Sequence, residues 1–521
     1  IEGKIEGNTI SVTLPFWVNL KEAVAKFNSV GKVTVNGAPQ KSGETSNDFT
    51  NSENVPLNYI VTAADNSTRT YFIKVNISTW KWKSGSDTPG VIGTIEKGPG
   101  GRFSGATWTD KNGNFLLFGG GTKSGSLRDL WMWNKDAQAW QFLGKKGQNP
   151  AETFVYGIYP AKYGDVGEPG SRVAAMTWRD NNGEFWMFGG VGLAAREAGS
   201  FSSGNLNDLW KLSFTGTEWE WKWMGGAFRS DMVSNYGERG LESATNMPGS
   251  RRYGASWTDQ NGDLWMFGGE NTNGADLVYH NDLWRYSIAR KSWTWIKGSK
   301  LPNQTGRVDL NPDDSNPGAR SQAVTWVDAH GDLWLFGGYS WDASTANSNR
   351  YYSDLWKFNV KAQRWTLVKG TVDSAGNVQV NERGVYGSMG IGTNQTTPGS
   401  RYNSVSWIDE DGNLWLHGGQ GASSSKGIIY ELNDLWKFNP SDSKWTWMGG
   451  SAIPDNQAFK ANAAGIYYGD AWKLRPGSRE GSHSWADNKG NLWMFGGSGY
   501  GKTVTTDAFG SLNDLWVYNY K

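Results

Sequence analysis

The chain has 521 residues, with 51 Lys and Arg against 50 Asp and Glu, 70 Gly, 32 Trp and no Cys. The charge balance leaves no field for steering a polyanion, so nucleic acid is not an expected partner. The lack of Cys excludes disulfides, thiolate metal ligands and a Cys nucleophile, and no run of about 18 apolar residues is available to span a bilayer. Glycine-rich turns interleaved with aromatics predict an all-β protein.

Residues 1–78 read as a small β-sandwich. Strand-like alternation appears at Ile10–Leu14 and Lys32–Val35, and a late hairpin runs from Asn58 to Asp65 and from Thr70 to Ile77. Next comes Thr79-Trp-Lys-Trp82. It shares its Trp-x-Trp pattern with Trp293-Thr-Trp295 and Trp445-Thr-Trp447 farther on.

From there one pattern recurs six times: Pro-Gly-x-Arg, Trp-x-Asp-x-x-Gly, an apolar run ending in Gly-Gly, Asp-Leu-Trp, and a further Trp. The Arg positions are 102, 172, 251, 320, 401 and 479, each 17 residues before the first Gly of its Gly-Gly pair. The Asp of Asp-Leu-Trp falls at 129, 208, 282, 354, 434 and 514. Such a period marks a repeat architecture. Each unit predicts four strands, shown in the third copy by Tyr253–Trp257, Leu264–Phe267, Leu283–Tyr286 and Ser292–Trp295. Asn261-Gly262 supplies the positive φ of the first hairpin turn. Four short strands repeated around an axis make a β-propeller, which leaves only short edges. The sixth copy stops after its third strand, at Lys521, and the residues 79–83 strand is expected to complete it. The expected domains are therefore 1–78, a β-sandwich spacer, and 79–521, a six-bladed propeller closed by its N-terminal strand.

The Gly-Gly pairs and the Trp spaced behind them resemble the kelch family, and more closely the central propeller of galactose-oxidase-like proteins. The stretch Val33–Gly43, with Asn47–Thr50 and Tyr59–Asp65, looks like the immunoglobulin-like N-terminal modules of Gram-negative surface lipoproteins. That resemblance implies a spacer behind a lipidated Cys lying upstream of Ile1, and hence an extracytoplasmic protein on the outer-membrane surface. A galactose-oxidase-like copper site would need two His, an axial Tyr and a Tyr cross-linked to Cys. Here Cys is missing, and His280, His330, His417 and His483 are scattered. No metal or other cofactor is expected.

The loop after Gly-Gly varies from 9 residues (Gly120 to Asp129) to 18 (Gly190 to Asp208), whereas the hairpin turns keep their length. Variable loops on a fixed scaffold carry binding sites. The six Arg could ring an anionic ligand, but each travels with its own Asp, which favours bridges inside each blade. The repeated Trp, Trp108 to Trp485, read as packing between blades, and the Asp-x-x-Gly segments as hairpin turns rather than calcium loops, since Glu at the twelfth position is missing. Specificity then belongs to the non-repeated residues: Gly121, Val191, Glu270, Tyr339, Gln420 and Ser498 after Gly-Gly, and Phe103, Val173, Arg252, Ser321, Tyr402 and Glu480 after the Arg. The candidate ligand-binding set is Arg252, Glu270, Tyr339, Trp341, Tyr402, Gln420 and Glu480, with Tyr351, Tyr352, Tyr430, Trp472 and Tyr500 in nearby loops. Aromatic planes beside amide and charged groups suit a sugar. The reading that results is a monomeric, non-catalytic surface protein that binds a glycan or another small polar ligand. A protein-interaction scaffold, and a metal-free mutarotase-like enzyme using Glu270, Glu480 and Arg252, stay open beside it.

Overall fold

A computed structural model describes the chain apart from residues 1–2, 17, 145–148, 161, 198–199, 275, 342–348, 423–428, 453–464, 469–473, 488–489, 503–508 and 521. The described residues are all-β, with one 3-10 turn, Leu20–Glu22, among many small sheets. They divide into two compact units. One holds residues 1–82, 466–475 and 516–521; the other holds 83–465 and 476–515.

In the first unit, Thr9–Pro15 runs parallel to Thr68–Ser84, pairing Thr9 with Phe72 and Pro15 with Ser78. Leu57–Thr62 and then Lys32–Val35 continue this sheet antiparallel. Alternation puts Val33 and Val35 inside, where they join Leu20, Phe49, Tyr59 and Val75 in the core. The second half of Thr68–Ser84 has the end of the C-terminal strand Phe509–Asn519 as its hydrogen-bonded neighbour, with the Trp80 ring 5.3 Å from Tyr518.

The second unit repeats one four-stranded antiparallel sheet. Sheet three shows the plan: Ala255–Thr258, Leu264–Phe267, Leu283–Ser287 and Ser292–Lys297, paired in that order. Sheets one, two, four and five start at Ala106–Thr109, Met176–Arg179, Val324–Val327 and Val405–Ile408. Sheet six starts at His483–Ala486 and continues with Leu492–Tyr500. The hairpin turns are locked by their own aspartate. Asp259 accepts from the backbone N–H groups of Asn261 and Asp263 through Oδ1, and from the Trp265 indole through Oδ2. Both oxygens of that carboxylate are engaged by the turn.

Each first strand lies against the first strand of the next sheet, and that of sheet six returns to sheet one. A ring of six backbone hydrogen bonds follows the same circuit. Ser104 donates to Gly481, Gly481 to Asn403, Asn403 to Gln322, Gln322 to Tyr253, Tyr253 to Ala174 and Ala174 to Ser104, at 2.8–3.0 Å. All six residues have φ between 50° and 60°. Outside this ring the repeated Trp bind sheet to sheet. The indoles of Trp108, Trp178, Trp257, Trp326 and Trp407 each donate to a backbone carbonyl of the next sheet, those of Trp186, Trp265, Trp334, Trp415 and Trp493. Sheet one has Leu116 where the others carry Trp. At that seam Trp485 stacks on Phe115 at 4.9 Å, and its buried Nε1 has no hydrogen-bond partner among the described residues.

The repeated Arg and Asp meet inside each sheet. Arg251 donates from Nη1 and Nη2 to the two oxygens of Asp282 at 2.7 and 3.0 Å, from Nη1 to Gly268 O, and from Nε to Gly249 O. Arg102–Asp129, Arg172–Asp208, Arg320–Asp354, Arg401–Asp434 and Arg479–Asp514 do the same, and every member is buried. Asp282 also accepts from the Trp284 indole and the Tyr236 hydroxyl. The first Gly of the pair is required by space: at Gly268, with φ +66°, an added Cβ would sit 2.7 Å from Arg320 O and 2.9 Å from His280 O. Removing one partner strands a buried charge, which costs about 3–5 kcal/mol. Asp282→Ala is therefore expected to lose that much stability in urea unfolding. A loss below about 1 kcal/mol would contradict the bridge's structural role.

Candidate functional site

The twelve non-repeated positions come together in pairs. Phe103 bridges Gly121, Val173 pairs with Val191, Arg252 with Glu270, Ser321 with Tyr339, Tyr402 with Gln420 and Glu480 with Ser498. The position after each Arg thus faces the position after its Gly-Gly. In sheets two to five a third residue joins the pair from the returning hairpin strand: Asn205 beside Val191, Tyr279 beside Glu270, Tyr351 beside Tyr339 and Glu431 beside Gln420.

Sheets three to five make one continuous patch from these positions. The Tyr339 ring lies 5.3 Å from both Tyr351 and Tyr402, and 5.7 Å from Tyr279. Tyr351 and Tyr402 are stacked at 5.9 Å with 20° between their planes. On one side Arg252 Nε donates to Glu270 Oε1 at 2.8 Å, and the Ser321 hydroxyl donates to Oε2 at 2.7 Å. Glu270 is 3% exposed and held from both ends. On the other side the Tyr402 hydroxyl bonds Gln420, whose amide donates to Glu431. Glu480 accepts from Asn403 Nδ2 at 3.2 Å. Burial, with Glu431 adding to it, raises the Glu480 carboxyl above its usual range.

Six of the seven candidate residues belong to this network. Trp341 lies two residues beyond Tyr339 on the same strand, facing Asn349, which also accepts from the Tyr339 hydroxyl. Tyr352 is buried over the Arg320 guanidinium, 3.8 Å from its ring centroid, and belongs to the scaffold. Tyr500 packs on Phe509, and Tyr430 pairs with Gly421. Trp472 lies outside the described residues. Tyr279, Glu431 and Asn403 were not singled out from the sequence. The first two, like Tyr351, stand three residues before the Asp of Asp-Leu-Trp, a fixed spacing that would have found them.

Beside the patch, a cavity of about 160 Å³ opens within the hydrogen-bonded ring, lined by Ser104, Tyr253, Gln322, Asn403, Ser404 and Ser482 among others. A second, of about 200 Å³, shares Gly105, Gly254, Ala323, Ser404 and Ser482 with it and adds Thr107, Ser256, Thr325, Ser406 and Ser484.

The four His occupy separate places. His330 is exposed on a hairpin turn and His280 bonds Asn271. His417 takes the place of the Phe before Gly-Gly, buried on the second strand of sheet five. In His483 both ring nitrogens meet backbone groups: Gly105 N–H donates to Nε2 at 2.7 Å, and Nδ1 faces Phe495 O at 3.1 Å. Burial lowers the pKa of His280 to about 4 and that of His417 and His483 to about 3.

A family model described as SGBP, N-terminal, matches residues 1–75. This match points to a surface glycan-binding role for a protein carrying such a segment. Among the described residues no helix is long and apolar enough to cross a membrane.

Two pH effects follow. The buried imidazoles titrate below an exposed histidine, so the stability they contribute is complete above pH 6.5 and is lost as the pH falls toward 3. His417→Phe, the residue found at that place in the other sheets, is expected to keep more of its pH 7 stability at pH 4 than the parent does. Urea midpoints at the two pH values measure this, and equal losses would refute it. Glu480 has the opposite sign: its raised pKa means the fold penalises the ionised form, so this penalty grows as pH rises through the folded-state value. Glu480→Gln is expected to melt higher than the parent at pH 7, with the advantage fading below about pH 4.5.

Proposed function

We propose that the second unit is a six-bladed β-propeller of the kelch type and that its loop face binds a carbohydrate, with no chemical step, at the cell surface. The circuit of first-strand contacts and the ring of six hydrogen bonds support the propeller reading. The observation that carries the function is the patch of Tyr279, Tyr339, Tyr351 and Tyr402, flanked by Arg252–Glu270 on one side and Gln420–Glu431 on the other. The rings offer faces for the C–H side of a pyranose, and the amide and charged groups offer partners for its hydroxyls. Sheets one and two offer Phe103, Gly121, Val173 and Val191 at the matching positions, a single ring with no amide or charged group beside it in these pairs. The SGBP match at residues 1–75 supports the same role and a surface location, for which a lipid anchor upstream of Ile1 is the proposed attachment.

Catalysis fits the geometry less well. Glu270 is neutralised by Arg252 and bonded by Ser321, which leaves it a poor general base. The structural part of this proposal assigns residues 1–78 to a spacer and 79–521 to the propeller.

A glycan array probed with the full chain tests the function. Tyr339→Ala and Tyr402→Ala are each expected to weaken the best array ligand about 5–30-fold, the equivalent of about 1–2 kcal/mol for a lost aromatic contact. Val191→Ala in sheet two is expected to change nothing. If no glycan binds, or both tyrosine variants bind as the parent does, the carbohydrate reading fails and a protein-interaction surface takes its place.

A further inference from the structure

The ring of six backbone hydrogen bonds holds six residues in the left-handed region. Ser104, Ala174, Gln322, Asn403 and Gly481 are small, or end in a hydroxyl or an amide. The sixth is Tyr253, a bulky aromatic at φ 57°. A large side chain in this region is a true outlier, and such strain persists where something else requires it. The ring does not require it. What the ring uses is the N–H and C=O of residue 253, and Gly481 supplies the same two groups at φ 60°.

The surroundings of the Tyr253 side chain suggest what does require it. Tyr253 lines the cavity of about 160 Å³ together with Ser104, Gln322, Asn403, Ser404 and Ser482. Gly481, three hydrogen bonds away in either direction round the ring, carries no side chain, and Ser104 Oγ and Asn403 Nδ2 close in on the space a Cβ would take, at 3.0 and 3.2 Å. Burial raises the Tyr253 phenol above its usual pKa, and Ser104, Glu270, Arg252 and Glu480 all act on it, so it lies amid charged groups of sheets three and six. The Ser104 hydroxyl, shielded from solvent, is the polar side chain nearest in effect to the Tyr253 phenol, and both line the same cavity.

We infer that Tyr253 is a ligand-contacting residue of an axial subsite that takes one terminal sugar of the glycan. The inference rests on the carbohydrate reading above and adds to it the end of the chain that is recognised. At about 160 Å³ the cavity is well below the ~300–1,000 Å³ of sites that enclose drug-sized ligands, and it suits a single sugar ring. The terminal sugar stacks on the phenol and bonds Ser104, Gln322 and Asn403, while the rest of the chain runs outward over Tyr402 and Tyr339.

The experiment uses the full chain with Tyr253→Gly and Tyr253→Asn, both residue types that the ring already accepts. The probe is the strongest-binding glycan of the array, taken as a length series with a constant terminal sugar, and a second series with that sugar removed. Both variants are expected to melt no lower than the parent and to bind the probe at least tenfold more weakly. Parental affinity is expected to be independent of chain length and to fall when the terminal sugar is removed. Variants that melt well below the parent would make Tyr253 a structural plug. Variants that bind like the parent, or an affinity that grows with length whatever the terminal sugar, would overturn the inference while leaving the carbohydrate reading standing. A parent that binds no glycan removes that reading, and this inference with it, and is recognised by Tyr339→Ala and Tyr402→Ala having nothing to weaken.

Discussion

A guanidinium taken out of water must find a carboxylate and enough acceptors for its remaining N–H groups, or the fold cannot bear it. Six times in this chain that condition is met in the same way. Arg on the approach to the first strand reaches Asp at the start of the third and bonds the carbonyl of the first Gly of Gly-Gly on the way, while the missing side chain of that Gly makes room for backbone carbonyls, one of them that of the next sheet's Arg. The carboxylate then gathers an indole, and in sheets two, three and five a tyrosine hydroxyl as well. The bridge ties the three inner strands of each sheet together at one end and fixes where the loops depart. Because every charge in it is spent, none is left for a ligand. Recognition therefore passes to the neighbours of these residues, which carry no structural duty and differ from sheet to sheet.

The hydrogen-bonded ring imposes a second constraint. It asks each of six residues for a left-handed backbone, two positions after the Arg, and in return joins the sheets in a circuit. Four of the six are neither Gly nor Asn, so the geometry is maintained against local preference. The charged bridge and the strained ring sit side by side, and the patch of tyrosines rests on both.

Much of this was legible in the sequence for a physical reason: a buried pair has to co-occur, so Arg and Asp repeat together, and a hairpin turn has to be capped, so Asp and Gly repeat at fixed spacing. The pairing of Arg252 with Glu270 and of Tyr402 with Gln420 is also implied by the constant 17-residue interval. What escaped lies where the signal is counted from the other end. Tyr279 and Glu431 are in register with the following Asp, across a loop of variable length, so counting forward from Gly-Gly misses them. Tyr253 escaped because a left-handed position is announced by Gly or Asn, and only Gly481 and Asn403 announce it. In the first unit, the parallel pairing of Thr9–Pro15 with Thr68–Ser84 joins segments far apart in sequence, and alternation within either strand does not name its partner.

One departure from the repeat bears on how the second unit would come apart. Five junctions between sheets carry an indole bonded to a neighbouring carbonyl. At the sixth, where the last sheet meets the first, Leu116 replaces Trp and the buried Trp485 Nε1 has no hydrogen-bond partner among the described residues, so the indole contributes only its ring contacts with Phe115 and Trp140, beside the Gly105 N–H bond to His483. A circuit with one weaker link has a preferred place to breathe. Amide protons along Ala106–Thr109 and His483–Ala486 would exchange with solvent ahead of their counterparts in sheets three and four, and a probing force or protease would find its entry there. The order in which the sheets loosen is written in a single missing indole.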